Sequence, residues 1–315
     1  MNTSLRGPDA FFLGRLKFEE RDEAARLIHA SLATWYASHL NQPDRFGEAW
    51  EPFRIIPEIY GQLDPDCGIV AQETGTGALL GVCFYHPRSS HVSIGIVATK
   101  PGAGGRGVAR AMLEEATRIA GNAGLPMRLV SSLMNLDSFS LYTRMGFVPD
   151  MVFQDLQFPA GILPCMPAIT GNIRPASVED IALMQALERE LTGLDREQDF
   201  RFFIANEAGC WHTLLFIGLD GTLKGYLGSI HAGGTQMLGP GLMRDDDTAL
   251  TLIAAQLHHH APGNPVVLVP ARQAGLVASL YQAGARNVEL HISQVRGPGI
   301  SPRGIVIPTF LPESG

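Results

Sequence analysis

Cysteine is scarce in this chain of 315 residues. There are four, Cys67, Cys83, Cys165 and Cys210, and no two form a C-x-x-C pair. That suits a reducing compartment rather than a disulfide framework. Charge is also sparse: 17% of residues are Asp, Glu, Lys or Arg, and the net charge is −7. A basic surface for nucleic acid is therefore not expected, and a cationic substrate is mildly favoured. No run of eighteen apolar residues occurs, so no membrane span is expected. The opening stretch MNTSLRGPDAFFLGRLKFEE has no apolar signal core. These absences together predict a soluble, cytoplasmic protein without a membrane or nucleic-acid partner.

Glycine, in contrast, is concentrated. The stretch HVSIGIVATKPGAGGRGVARA, His91 to Ala111, reads as a buried strand, a glycine-rich turn and the start of a helix. Gly102, Gly104, Gly105 and Gly107 crowd the turn. Val108, Ala109, Met112, Leu113 and Ala116 then follow at helical spacing. The first N–H groups of a helix have no partner within it, and the helix dipole adds positive character there. Without side chains in the way, a phosphate can approach that backbone closely. The stretch therefore predicts a pyrophosphate cradle; a tight turn with nothing bound is the alternative.

Gly102, Gly104 and Gly107 also spell the dinucleotide pattern G-x-G-x-x-G, but the context is wrong for it. About ninety residues with their own strands and helices precede it, and the next strand ends in Ser131-Ser132 rather than an acid. A P-loop needs Lys and then Ser or Thr after the last glycine, and Val108-Ala109 stand there.

The loop Gly104-Gly105-Arg106-Gly107-Val108-Ala109 resembles the Arg/Gln-x-x-Gly-x-Gly/Ala loop of the GNAT superfamily of acyl-CoA-dependent N-acetyltransferases. Gly104 stands where Arg or Gln is usual. Asn135, Ser138, Tyr142, Gly146 and Phe147 match a second family signature downstream in residue type and spacing, with Ser138 in place of Ala. The resemblance covers residues 15 to 158 well. It implies a mixed α/β sheet, acetyl-CoA as cosubstrate, no metal, and transfer by direct attack of an amine on the thioester. The acceptor it implies is a primary amine of a small molecule or peptide.

The same resemblance implies residue roles. Gly104, Gly105, Arg106, Gly107, Val108 and Ala109 would hold the CoA pyrophosphate. Val97 and Thr99 would offer backbone groups to the pantetheine arm, with Asn135 and Ser138 beside it. Tyr142 matches the tyrosine that protonates the leaving thiolate; a helix tyrosine buried against the sheet is the other reading. The central strand supplies a Glu or His base in several members, which makes His91 and Ser93 candidates. Glu73 and His86, at hairpin strand ends, are rivals. Trp50, Phe53 and Tyr60 either line the acceptor pocket or pack the core.

After PAGILPCMPAITGN, residues 159–172, the pattern starts again. IRPASVEDIALMQALERELT echoes LKFEERDEAARLIHASL. Leu129-Val130 stands twelve residues before Leu141-Tyr142, as Leu268-Val269 does before Leu280-Tyr281. This predicts an internal duplication: a catalytic domain over 1–160 and a degenerate second copy over 161–315. In that second copy Gly239-Pro240-Gly241-Leu242-Met243-Arg244-Asp245-Asp246-Asp247 is expected to replace the glycine loop. Its proline lacks a donor and its aspartates repel phosphate. The run His258-His259-His260 ends a helix, where side chains fan apart, so it is not read as a metal site. The remaining alternative to an enzyme is a non-catalytic acyl-CoA-binding module. Oligomeric state is not legible.

Overall fold

Short alternating runs bounded by glycine, and helices with one apolar stripe, give thirteen strands and eight α-helices among the described residues. The structure is a computed structural model and describes residues 11–159, 171–232, 235–263 and 265–309. The first half holds β1 (Phe11–Arg15), α1 (Arg21–Leu40), α2 (Ile55–Leu63), β2 (Gly68–Glu73), β3 (Leu79–Pro87), β4 (Val92–Thr99), α3 (Val108–Ala123), β5 (Met127–Ser132), α4 (Leu136–Arg144) and β6 (Val148–Gln157). The second holds β7 (Asn172–Pro175), α5 (Ile181–Leu191), α6 (Glu197–Ala205), β8 (Trp211–Ile217), β9 (Leu223–Ala232), β10 (Thr235–Met243), α7 (Asp246–His260), β11 (Val266–Pro270), α8 (Ala274–Gln282), β12 (Arg286–Arg296) and β13 (Ile305–Ile307). Apart from β13, the same order of strands and helices runs twice, as the duplication predicts. Most of the join expected over 159–172 lies outside the described residues, as do Cys165 and Phe310.

The chain forms two compact units: residues 11–87 with 92–127, and residues 88–91 with 128–309. In the first, β1, β2, β3 and β4 pair antiparallel in sequence order. Helix α3 buries Val108, Met112, Leu113, Ala116 and Ala120 to 2% exposure or less. The larger of these side chains contribute about 1.5–3 kcal/mol each. A Cβ on Gly81 would lie 2.7 Å from Met112 Cε and 2.8 Å from Val108 Cγ1. Glycine on β3 thus lets the first turn of α3 sit tightly on the sheet. Gly225 on β9 does the same beneath α7, where a Cβ would meet Thr248 Cγ2 at 2.9 Å.

In the second unit the strand order is β5-β12-β6-β11-β10-β9-β8-β7, with β13 on β10. Its core joins Leu252, Ile253 and Leu257 of α7 to Leu227, Leu238, Val267 and Val269 of the sheet. The order contains an exchange of strands. β12, the last long strand of the second copy, lies between β5 and β6 of the first. β6, its counterpart, lies between β12 and β11. Each copy's final strand thus pairs with the other copy's preceding one. The backbone records this twice: Leu133 N–H donates to the Leu290 carbonyl, and Ala271 N–H to the Val152 carbonyl, both at 2.8 Å. The division into units therefore falls between residues 127 and 128, while the repeat in element order turns over between β6 and β7.

Candidate functional site

β4 leads to the glycine turn, and it is not regular. Cys83 pairs with Val97 and Tyr85 with Ile94, so β4 carries one extra residue between those pairs. Such a bulge breaks the ladder and turns backbone groups away from the neighbouring strand. Val97 and Thr99 follow it, both half-buried, with Thr99 paired to Gly81.

The connection from β4 to α3 runs from Lys100 to Gly107. Gly102, Gly105 and Gly107 have φ of 83°, 77° and 79°, a region that costs other residues about 1–2 kcal/mol. Gly107 is the N-cap of α3 and supplies no side-chain cap. A Cβ at Gly102, Gly104, Gly105 or Gly107 would meet no protein atom within 4 Å. The glycines are therefore not required by packing within the unit. They leave the start of α3 open, with Val108 buried, Ala109 half-buried and the first N–H groups of the helix without intrahelical acceptors. Arg106 Nη1 lies 3.9 Å from Glu73 Oε1, and Glu73 also accepts from Thr76 Oγ1 at 2.8 Å.

Asn135 caps α4: its Oδ1 accepts the Ser138 N–H at 3.0 Å. This leaves the Asn135 amide nitrogen for another partner. Tyr142, one turn beyond Ser138, is 7% exposed, and its ring stands 6.0 Å from that of Phe147. The helix ends at Met145, and Gly146 takes φ 86° to turn the chain into β6.

His91 lies just before β4 and groups with the second unit. It is 1% exposed, and its Nδ1 is 2.8 Å from Ser90 Oγ. Burial, then the charges of Arg128, Arg196 and Arg88, push its pKa down to about 3. An imidazole so reluctant to take a proton is a poor base at neutral pH. Around it runs an ionic network that sequence reading missed. Arg88 is paired with Asp199, Arg196 with Glu188 at 3.0 Å, and Arg196 also donates to the Tyr226 hydroxyl at 2.9 Å. These partners stand far apart in sequence, and no periodic signal links them.

Ser93 is 2% exposed on β4 and pairs in register with His86. His86 is also buried, with Nδ1 2.7 Å from Asp64 Oδ2. Tyr60 packs against Phe84 and His86, with ring centroids 4.7 and 4.8 Å away, and is core. Phe53 stacks edge-on with His29 at 5.1 Å, while Trp50 lies between Arg26 at 4.0 Å and Arg54 at 4.8 Å.

The corresponding connection in the second copy corrects one expectation. β10 continues through Gly239 and Pro240, an irregularity in its ladder with β9, to Gly241, Leu242 and Met243, which pair with both β9 and β13. Only Arg244 and Asp245 join it to α7. Asp245 caps that helix by accepting the Thr248 N–H at 2.8 Å. The loop is shortened rather than replaced, and a carboxylate already fills the helix start. An open cavity of about 510 Å³ lies there, lined by Arg244, Asp245, Asp246, Arg272 and Gln273. Arg244 is held by Glu190 at 2.6 and 2.7 Å, while Arg272 and Arg303 also line the cavity.

Among the described residues no group of three or more His, Cys, Asp or Glu is placed to hold a metal ion, and no helix is long and apolar enough to cross a membrane.

Residues 30–147 match the model of the acetyltransferase (GNAT) family. No curated protein matches the chain. Solved structures share its fold. A Pyrococcus horikoshii protein assigned as an acetyltransferase has a TM-score of 0.73 at 12% identity, covering 96% of each chain. A GCN5-related N-acetyltransferase from Sphaerobacter thermophilus has 0.64 at 14% identity, covering 93% of this chain and 98% of its own. A tandem GNAT protein of the clavulanic acid biosynthesis pathway has 0.59 at 14% identity, covering 92% and 99%. With the glycine-rich strand-to-helix turn, residues 30–147 thus resemble the acetyltransferase (GNAT) family, and the chain shares the fold of these structures.

Proposed function

We propose that this protein is an N-acetyltransferase that moves the acetyl group of acetyl-CoA to a primary amine of a small molecule or peptide. One working CoA site lies in the first copy and none in the degenerate second. The observation that carries this reading is the contrast between two helix starts. α3 begins at Gly107 with open backbone donors, while α7 begins at an Asp245 carboxylate.

On this reading Gly104, Gly105, Gly107, Val108 and Ala109 present backbone N–H groups to the CoA pyrophosphate, and Arg106 adds charge. Val97, Thr99, Asn135 and Ser138 take the pantetheine arm. The amine attacks the thioester carbonyl, and a backbone N–H near the β4 bulge holds the oxyanion. Tyr142 then gives its proton to the departing thiolate. Burial and the neighbouring arginines argue against His91 as the base. Cys67, Cys83 and Cys210 as thiols support a reducing, cytoplasmic setting.

The test has two stages. Calorimetry with CoA and with NAD should show binding of CoA alone. Thiol release from acetyl-CoA is then measured with a polyamine, an aminoglycoside, an amino acid and a peptide amine. CoA binding with no turnover on any amine would leave a non-catalytic acyl-CoA-binding module, the reading that Gly104 in place of Arg or Gln favours.

A further inference from the structure

Lysine occurs only at positions 17, 100 and 224. Lys17 lies 3.9 Å from Glu20, and Lys224 lies 2.7 Å from Asp220. Lys100 is exposed and opens the glycine connection between β4 and α3. Its side chain has no hydrogen bond and no ion pair among the described residues. The other cations of that connection and of the first turn of α3 each have a carboxylate. Arg106 has Glu73 at 3.9 Å, and Arg110 has Glu114 at 3.4 Å.

The duplication supplies an internal control. The Lys100 N–H donates to the Leu80 carbonyl at 2.9 Å, and the Arg244 N–H donates to the Lys224 carbonyl at 3.0 Å. Each accepting residue precedes a glycine that lies beneath a helix, Gly81 under α3 and Gly225 under α7. Those glycines pair with Thr99 and Met243, the residues just before Lys100 and Arg244. Lys100 and Arg244 therefore hold the same place in the two copies, each a cation where the strand leaves for the helix.

Their surroundings differ. Glu190 binds Arg244 at 2.6 and 2.7 Å. Glu190 is the tenth residue of α5, which follows directly on the short helical turn Val178–Asp180. The tenth residue of α1, which follows on the matching turn Phe18–Glu20, is Ala30. The first copy has no carboxylate at that place. The cation is thus neutralised where Asp245 closes the helix start, and left uncommitted where Gly107 leaves it open.

We propose that the Lys100 ammonium pairs with a phosphate of CoA, a side-chain contact that Gly104 cannot supply. This rests on the reading of the glycine turn as the CoA cradle. The Ala103 N–H donates to the Lys100 carbonyl at 3.0 Å, so the chain folds back at once and roots Lys100 at the rim of the turn. CoA carries a pyrophosphate and a 3′-phosphate. The backbone donors and dipole at one helix start offer only about half a unit of positive charge, so a full side-chain charge at the rim strengthens binding.

The experiment titrates full-length parent, Lys100→Met, Lys100→Glu, Lys100→Arg and the control Lys17→Met with CoA by calorimetry, at about 0.02 M and about 0.3 M salt. Melting temperatures are recorded alongside. Lys100→Met should weaken CoA binding by about tenfold at the lower salt and Lys100→Glu by about 100-fold, with both deficits shrinking at the higher salt. Lys100→Arg should stay within about threefold of the parent, because it keeps the charge. Lys17→Met should match the parent. Melting temperatures should not move, because the Lys100 side chain has no protein partner to lose. Dephospho-CoA, which lacks the 3′-phosphate, assigns the contact. A Lys100→Met deficit that vanishes with it places Lys100 on the 3′-phosphate; a deficit that persists places it on the pyrophosphate. Folded Lys100→Met and Lys100→Glu within about twofold of the parent at the lower salt overturn the proposal. A deficit indifferent to salt, or an equal deficit in Lys17→Met, does the same. In each of those cases the parent still binds CoA and the cradle stands. A parent that binds no CoA removes the cradle reading itself, and the role of Lys100 with it.

Discussion

Asp245 closes the start of α7 by accepting the Thr248 N–H at 2.8 Å, at the point in the second copy where Gly107 leaves α3 open in the first. An N-cap carboxylate satisfies the donors a phosphate needs and adds repulsion of like sign. One CoA per chain is therefore expected. Calorimetric titration gives the stoichiometry directly, and two equivalent sites would sink the assignment. Asp245→Gly should cost well under 1 kcal/mol of stability, since glycine is itself tolerated at that position. It should not create a second site, because Arg244 stays committed to Glu190.

Gly107→Val tests the cradle. At φ 79° a β-branched residue is strained, yet no protein atom lies within 4 Å of its Cβ. The variant should lose about 1–2 kcal/mol of stability from backbone strain. CoA affinity should fall by more than about tenfold, since the γ-methyl groups would occupy the space proposed for the phosphate. A melting shift accompanied by unchanged CoA affinity would mean that the pyrophosphate binds elsewhere.

The local features of this molecule were legible because they are local. Gly107 before Val108 and Asn135 before Ser138 each act within a few residues, so their spacing carries the geometry. The duplication was legible as a repeated order of elements. The exchange of β6 and β12 was not, because either strand's alternation is satisfied by any partner of the same length. The run Gly239-Pro240-Gly241 misled for a related reason. Two glycines and a proline read as a break, but β13 and β9 flank the segment and hold it in the sheet. His291 and Asp155 are 136 residues apart in sequence, and only tertiary pairing reveals their bond.

His91 carries a pH prediction. Its folded pKa lies near 3, below the ordinary imidazole value of about 6.5. The unfolded chain therefore binds more protons in the interval between those values. The neutral form's contribution to stability is complete above about pH 6.5 and is lost as pH falls toward about 3. His91→Gln should flatten the acid limb of the stability curve by up to ~1.4 kcal/mol per pH unit across that window. Denaturant unfolding at several pH values measures it. Parallel curves for parent and variant would place the acid sensitivity in other groups. His260, pushed down to about 4 by burial and by His259, His231 and His212, is the next to examine.

Tyr142 tests the chemistry of the proposed acyl transfer. It stands one helical turn after Ser138, and Ser138 is tied to the Asn135 cap. Three residues that the family resemblance assigns to the thioester end of CoA are thus fixed to one short helix. Tyr142→Phe keeps the ring against Phe147 and removes only the hydroxyl. As the acid for the leaving thiolate, its loss should lower kcat by about 10²–10⁴ while CoA affinity and melting temperature move little. A thiolate is a tolerable leaving group unaided, so the lower end of that range is expected. A large fall in melting temperature with a small kinetic change would make the hydroxyl structural. Steady-state kcat can hide the effect if product release limits turnover. The transfer step is therefore followed in a single turnover, with enzyme in excess over acetyl-CoA and the acceptor saturating. A Tyr142→Phe variant matching the parent under those conditions would leave the thiolate to be protonated from solvent.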